Sequence, residues 1–193
     1  MEQMRYEHLL IFCSIALVVW FLILYFLPRM IIGVYKRAIL VKGFGDGSIP
    51  LNTLYMQSEK LFTNPLQASG SSLSTTGVNR DTLITIGWLD LRDAPQLLHV
   101  PDMAGRYYSV QLTDPRKNTV FAYVGKRTTG TASREYLICG PNWNGVLPDG
   151  VSRISAPTDS VLIIGRVLVE NDSDLHNAYA LAKQIQLSSS TQT

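Results

Sequence analysis

The alternation of apolar and polar positions divides this chain into three regimes. Residues 9–27, LLIFCSIALVVWFLILYFL, run for nineteen positions without a charge. A helix of that length rises about 28 Å, enough to cross a hydrocarbon core of roughly 30 Å. A cleaved signal peptide would show a shorter apolar core followed by small residues. Here Pro28, Arg29, Met30 and Ile31 follow, so the pattern predicts a retained anchor after a short tail at residues 1–8. Apolar residues at Ile31, Val34, Tyr35 and Ala38 keep a helical spacing and stop at Gly43. Leu51, Leu54, Tyr55, Leu61 and Phe62 set out a second helical face, with Ser48 as its cap. The stretch NPLQASGSSLSTTG, residues 64–77, is polar and small and reads as a linker.

From Asp81 the period becomes two. Strands are predicted at 82–88, 96–100, 107–111, 120–124, 135–138 and 161–169, separated by turn-forming stretches such as PDMAG and TDPRKN. Short strands at this spacing predict an antiparallel sandwich or barrel, not βαβ units. Six strands are few for a self-sufficient sandwich, so more are expected from the earlier loop or from a partner's sheet. Leu175, Ala178, Tyr179, Ala182 and Ile185 form the stripe of a closing helix, capped by Asp172 or Ser173 and packed on the sheet. Residues 188–193, SSSTQT, read as a disordered tail.

Charge changes the picture mainly near the apolar run. Only 17% of the residues are charged, against about 25% in an average soluble domain. The formal net charge of +2 arises beside the apolar run, where Arg29, Lys36, Arg37 and Lys42 follow it; from Phe44 onward twelve basic residues face thirteen acidic ones. Such a collar suits anionic lipid headgroups. A nearly neutral remainder offers no basic face for nucleic acid. The two cysteines, Cys13 and Cys139, fall in different regimes and make no disulfide framework. His8, His99 and His176 are isolated, so no metal-ligand spacing occurs and no metal or cofactor is expected.

The candidate chemistry lies around GVNRDTLITIGWLDL, residues 77–91. Asn79, Asp81, Asp90, Asp102 and Arg106 are the candidates for one polar pocket, since carboxylates held in different surroundings can do acid–base work. The competing reading makes Asn79 and Asp81 turn formers that bond nearby backbone, with Arg106 closing a bidentate pair to one of these aspartates. Turn forming is favoured. Thr128 to Thr131 lack the setting of a phosphate loop and read as an ordinary loop, and Asn171-Asp172-Ser173 matches a glycosylation sequon.

Several ordered motifs carry a family resemblance. Val78-Asn79-Arg80-Asp81-Thr82-Leu83-Ile84 is followed by Trp88-Leu89-Asp90-Leu91, then Val100-Pro101-Asp102 and Gly105-Arg106-Tyr107-Tyr108. Arg127-Thr128-Thr129-Gly130, Gly140-Pro141 with Trp143, Gly145, Pro148 and Gly150, then Pro157-Thr158 and Ile164-Gly165-Arg166 complete the series. In order and spacing these resemble the domain of unknown function 1254 family over residues 77–187. Val78, Ile84 and Ala156 depart from the family's usual Pro, Tyr and Ser.

The resemblance implies an exported bacterial β-sandwich of jelly-roll type, which acts with a protein of the domain of unknown function 1214 family. The expectation is therefore a mainly β domain behind one transmembrane helix, single-pass in a bacterial membrane. That domain would bind a partner or ligand. The alternatives are a small-molecule enzyme using the Asp/Arg cluster, or a structural subunit of a membrane complex. The basic collar predicts a cytoplasmic domain. The resemblance implies the opposite and covers more residues, so the expectation leans extracytoplasmic.

Overall fold

The computed structural model describes residues 2–42, 47–56 and 81–190. The chain divides into two compact units, Met1–Arg37 and Ala38–Thr193. The first is formed by helix α1, Glu2–Lys42, which runs on into the second. α1 begins within the expected tail and passes through Pro28 without a break. The boundaries drawn at residues 8 and 27 therefore do not interrupt it. A proline in a helix removes one backbone hydrogen bond, and a long apolar helix can absorb that loss. Residues 10–31 are exposed throughout. Their apolar surface surrounds the helix on all sides, as in a segment made for a non-aqueous solvent. By length and composition the stretch Leu10–Val41 is able to cross a membrane. Arg29 folds back along it, its guanidinium 3.6 Å from the centroid of the Tyr25 ring.

The second unit is mainly β, with nine strands in two sheets among the described residues. The five-stranded sheet has the order β1-β2-β8-β4-β5 and is antiparallel throughout. Its members are β1 (Leu54–Met56), β2 (Thr82–Asp90), β4 (Tyr108–Asp114), β5 (Thr119–Gly125) and β8 (Ser160–Leu168). The four-stranded sheet has the order β7-β6-β3-β9. It contains β3 (Gln96–Val100), β6 (Arg134–Cys139), β7 (Val151–Ser155) and β9 (Gln186–Ser189). β6 and β7 are parallel, so the link between them crosses over instead of turning back.

All six predicted strands form, with ends shifted by up to three residues. Of the three additional strands, β7 falls on residues given no assignment, and the other two come from places read otherwise. Leu54–Met56 was expected on a helical face but pairs with β2, Tyr55 opposite Ile86; the rest of that expected helix, residues 57–62, lies outside the described residues, as does the linker at 64–77. Gln186–Ser189 takes in two serines of the expected disordered tail and pairs with β3, Ser188 opposite Leu97. Residues 191–193 lie outside the described chain. Both errors have one physical cause. A short edge strand gains its order from a neighbour's backbone, which leaves no periodic mark on its own side chains.

The core fills the space between the sheets. Leu83, Leu89, Val110, Leu112 and Ile163 of one sheet meet Leu98, Val100, Tyr136 and Ile138 of the other. β8 reads VLIIGRVL because it lies in the middle of its sheet. Helix α2, Leu175–Lys183, adds Leu175, Ala178 and Ala182 to this core, the stripe expected from its spacing. Its start differs from expectation. Asn171 caps a 3₁₀ turn at Asp172–Asp174 by accepting from the Asp174 amide, and α2 continues from that turn. The expected caps, Asp172 and Ser173, lie within the turn, and the sequon's Asn171 is the residue that closes it. Where Leu54 pairs with Gly87, a Cβ on the glycine would stand 2.5 Å from the Thr53 carbonyl oxygen. That close approach admits only glycine.

Candidate functional site

The candidate residues are distributed over the two ends of β2. Asp81 immediately precedes that strand and Asp90 ends it. Nine residues at about 3.3 Å each separate the two by roughly 30 Å, so these two aspartates do not share a pocket. Asn79 lies outside the described residues. Asp102 and Arg106 belong to the loop between β3 and β4. That loop meets the start of β2, because the Val169 amide donates to the Asp81 carbonyl while Arg106 donates to the carbonyl of the neighbouring Leu168.

At the far end, Asp90 works on its own corner. Its carboxylate accepts from the Arg92 backbone amide at 3.3 Å and from Arg92 Nε at 2.8 Å. Asn52 brackets the same residue, accepting from the Asp90 amide and donating to its carbonyl. Asp102 Oδ1 accepts from the Ala104 amide at 2.8 Å. That bond supports a turn in which Ala104 has φ 47° and Gly105 φ 77°. A left-handed alanine costs about 1–2 kcal/mol. These two acids are turn formers, a role the competing reading gave to Asn79 and Asp81.

Arg106 is the centre of the other end. Its guanidinium meets Asp174 through two parallel bonds, Nη1 to Oδ2 at 2.5 Å and Nη2 to Oδ1 at 2.6 Å. The expected bidentate pair thus exists, but its acid is Asp174, 68 positions later and absent from the candidates. Asp174 Oδ2 also accepts from the Glu170 amide. One carboxylate therefore ties the β3–β4 loop to the stretch between β8 and α2. The side chains are 14% and 13% exposed. The Arg106 bonds and that amide hold the Asp174 carboxyl at about 2, below its ordinary 3.8.

This shift gives a pH dependence. An acid whose pKa is lowered in the folded state stabilises above its unfolded pKa and loses that contribution as pH falls toward the folded value. The contribution is about 2.5 kcal/mol at most, and about 1–2 kcal/mol after solvent screening near the surface. Thermal melting of the full chain in detergent is expected to weaken between about pH 4 and pH 2. Asp174→Asn should start lower and lack that part of the pH slope. A variant with the wild-type slope would show that other acids set the profile.

A notch of about 210 Å³ opens beside the pair, lined by Met103, Ala104, Gly105, Arg106, Glu170 and Leu181. Pockets for small molecules span about 300–1,000 Å³, so this one is small. Lys126 Nζ donates to the Gly105 carbonyl and the Met103 amide donates to that of Thr131, which joins the β5–β6 loop to the same end. In that loop the Thr128 and Thr129 hydroxyls bond the backbone of Tyr123 and Gly125, closing the end of β5. Among the described residues no group of three or more His, Cys, Asp or Glu side chains is placed to hold a metal. Cys139 is fully buried, and burial pushes its thiol pKa up.

No local pattern marks Asp174, because the contact depends on how two distant segments fold. Asn52 was equally hidden within an expected helical region.

The family model for protein of unknown function (DUF1254) matches residues 60–189. No curated protein matches the chain. The solved VPA0106 protein from Vibrio parahaemolyticus is similar, with a TM-score of 0.64 and 26% identity over 86% of this chain and 36% of its own. An uncharacterised protein from Burkholderia cenocepacia aligns at a TM-score of 0.38 and 11% identity, over 72% of this chain and 34% of its own. The present chain thus spans about a third of the length of the Vibrio protein. With more than half of its residues under one family description and its two-sheet domain alike in fold to the Vibrio structure, the chain belongs to the DUF1254 family of proteins of unknown function.

Proposed function

We propose that this protein is a single-pass membrane protein whose β-sandwich binds a partner polypeptide on the extracytoplasmic side of a bacterial membrane. The observation that carries the binding part is the use made of the polar groups. Asp90 and Asp102 hold turns, and Arg106 is engaged by Asp174 and Leu168. Groups committed in this way stiffen a surface and are not poised for proton transfer. The anchor is supported by α1, whose apolar side chains at residues 10–31 have no protein cover. The partner proposed is a protein of the domain of unknown function 1214 family, as the resemblance implies. In the Vibrio protein a fold of this kind shares its chain with much additional length.

Extraction in mild detergent is expected to recover a polypeptide of intact mass together with a second protein. Recovery of a soluble species lacking its first thirty residues would remove the anchor, and recovery of the chain alone would remove the partner. For sidedness, buried Cys139 is a poor reporter. An Asn142→Cys variant places a thiol at an exposed position. An impermeant maleimide should label it in intact cells. Labelling only after lysis would put the domain in the cytoplasm.

A further inference from the structure

The sheet edges differ in how they are finished. β1 has three residues, β9 has four and includes two serines, and β7 carries Arg153. β5 has seven, TVFAYVG, with neither charge nor proline. Among the described residues it pairs with β4 alone. Free edges of this kind recruit further strands unless they are blunted.

Register fixes which groups are open. The Lys126 amide donates to the Tyr108 carbonyl, so the positions that bond across the β4–β5 pair include Tyr108 with Lys126 and, two along, Val110 with Val124. Tyr123 and Gly125 then face away from β4. The Thr128 and Thr129 hydroxyls occupy the Tyr123 carbonyl and both backbone groups of Gly125. The Tyr123 amide is left open, and past the bulge Val120 faces outward as well, since its neighbour Thr119 sits opposite Asp114 at a position that bonds β4. Phe121 is the extra residue of a bulge, since Leu112 faces Ala122 and Thr113 faces Val120. The bulge brings Val120 and Tyr123 onto one face, and they are 37% and 50% exposed.

Both ends of this apolar edge are basic. Arg116 and Lys117 precede it and Lys126 and Arg127 follow it, all four exposed. A second copy added antiparallel would set Arg116 and Lys117 of one chain beside Lys126 and Arg127 of the other, and like charges across strands repel.

We propose that the edge of β5 from Thr119 to Tyr123 accepts an added strand from a different polypeptide, one whose extended apolar segment is acidic at both ends. Backbone bonds would supply affinity, Val120 and Tyr123 a packing face, and the four cations the selection. This rests on the partner-binding reading and names its surface.

The test uses the full chain in detergent and two fluorescent peptides sharing a core of alternating Thr and Val, one flanked by acidic residues and one by basic residues. The acidic peptide should bind about tenfold more tightly at low salt, with the difference shrinking as salt rises. Lys117→Glu combined with Arg127→Glu should reverse the preference. Tyr123→Pro should abolish binding of both, because it removes an edge donor that no β4 bond uses. Equal binding of the peptides, a preference that survives charge reversal, or a wild-type dimer dissolved by Tyr123→Pro would overturn the proposal. Those results leave the co-purified partner untouched, so failure of the edge is distinguishable from failure of the binding reading.

Discussion

Arg106→Ala is expected to be among the most destabilising single changes in the β domain, costing about 3 kcal/mol, the lower range for breaking a shielded ion pair. The loss has three parts. Asp174 keeps its negative charge at 13% exposure without its cation, Leu168 loses a donor for its carbonyl, and the β3–β4 loop loses its tie to the stretch before α2. For a domain of this size the melting midpoint should fall by roughly 6–12 °C. Arg106→Lys should recover little of it, because one ammonium cannot bond both Asp174 oxygens and the Leu168 carbonyl together. Removing both charges, as Arg106→Met with Asp174→Leu, should be milder than Arg106→Ala, since no charge is then left unpaired. A wild-type melt for Arg106→Lys would show that only the charge matters and that the fork geometry does not.

Leu98→Ala should have an effect of similar size for a different reason. Leu98 is fully buried at the middle of β3, itself an inner strand between β6 and β9. Its register partners are Tyr136 and Leu187, and both sheets contribute to the cluster around it. Strands held by neighbours on two sides cannot close over a missing side chain, so the cavity persists. Truncations of this kind cost about 2–5 kcal/mol. Ser188→Ala, at an exposed position of β9 opposite Leu97, should change stability by no more than about 0.5 kcal/mol. Denaturation of both variants in the same detergent decides the point. Equal midpoints would mean that the space between the sheets is loosely filled there.

The two changes probe different layers of the same domain. Leu98 reports burial, which is non-directional and spread over many contacts. Arg106 reports a directional contact at the rim, where a single side chain joins two loops. In the notch beside it, Ala104 is held with a positive φ.

The elements legible before folding are those whose signals are local. Nineteen uncharged residues specify an apolar helix whatever surrounds them. Alternation from Asp81 onward specified six strands, and a spacing of three and four residues placed Leu175, Ala178 and Ala182 on the buried face of α2. The acids beside turns were legible for the same reason, since Asp102 bonds an amide only two residues away. The rest came from long-range contacts. Leu54–Met56 and Gln186–Ser189 became strands because neighbouring backbones offered free hydrogen-bonding groups, a property of the sheet and not of those residues. The gathering of candidate acids failed because β2 separates Asp81 from Asp90 by its own length. Arg106 found Asp174 because the chain returns past the β3–β4 loop before entering α2. Local periodicity records which face of an element is buried, but the partner of a polar side chain depends on distances that only the folded chain defines.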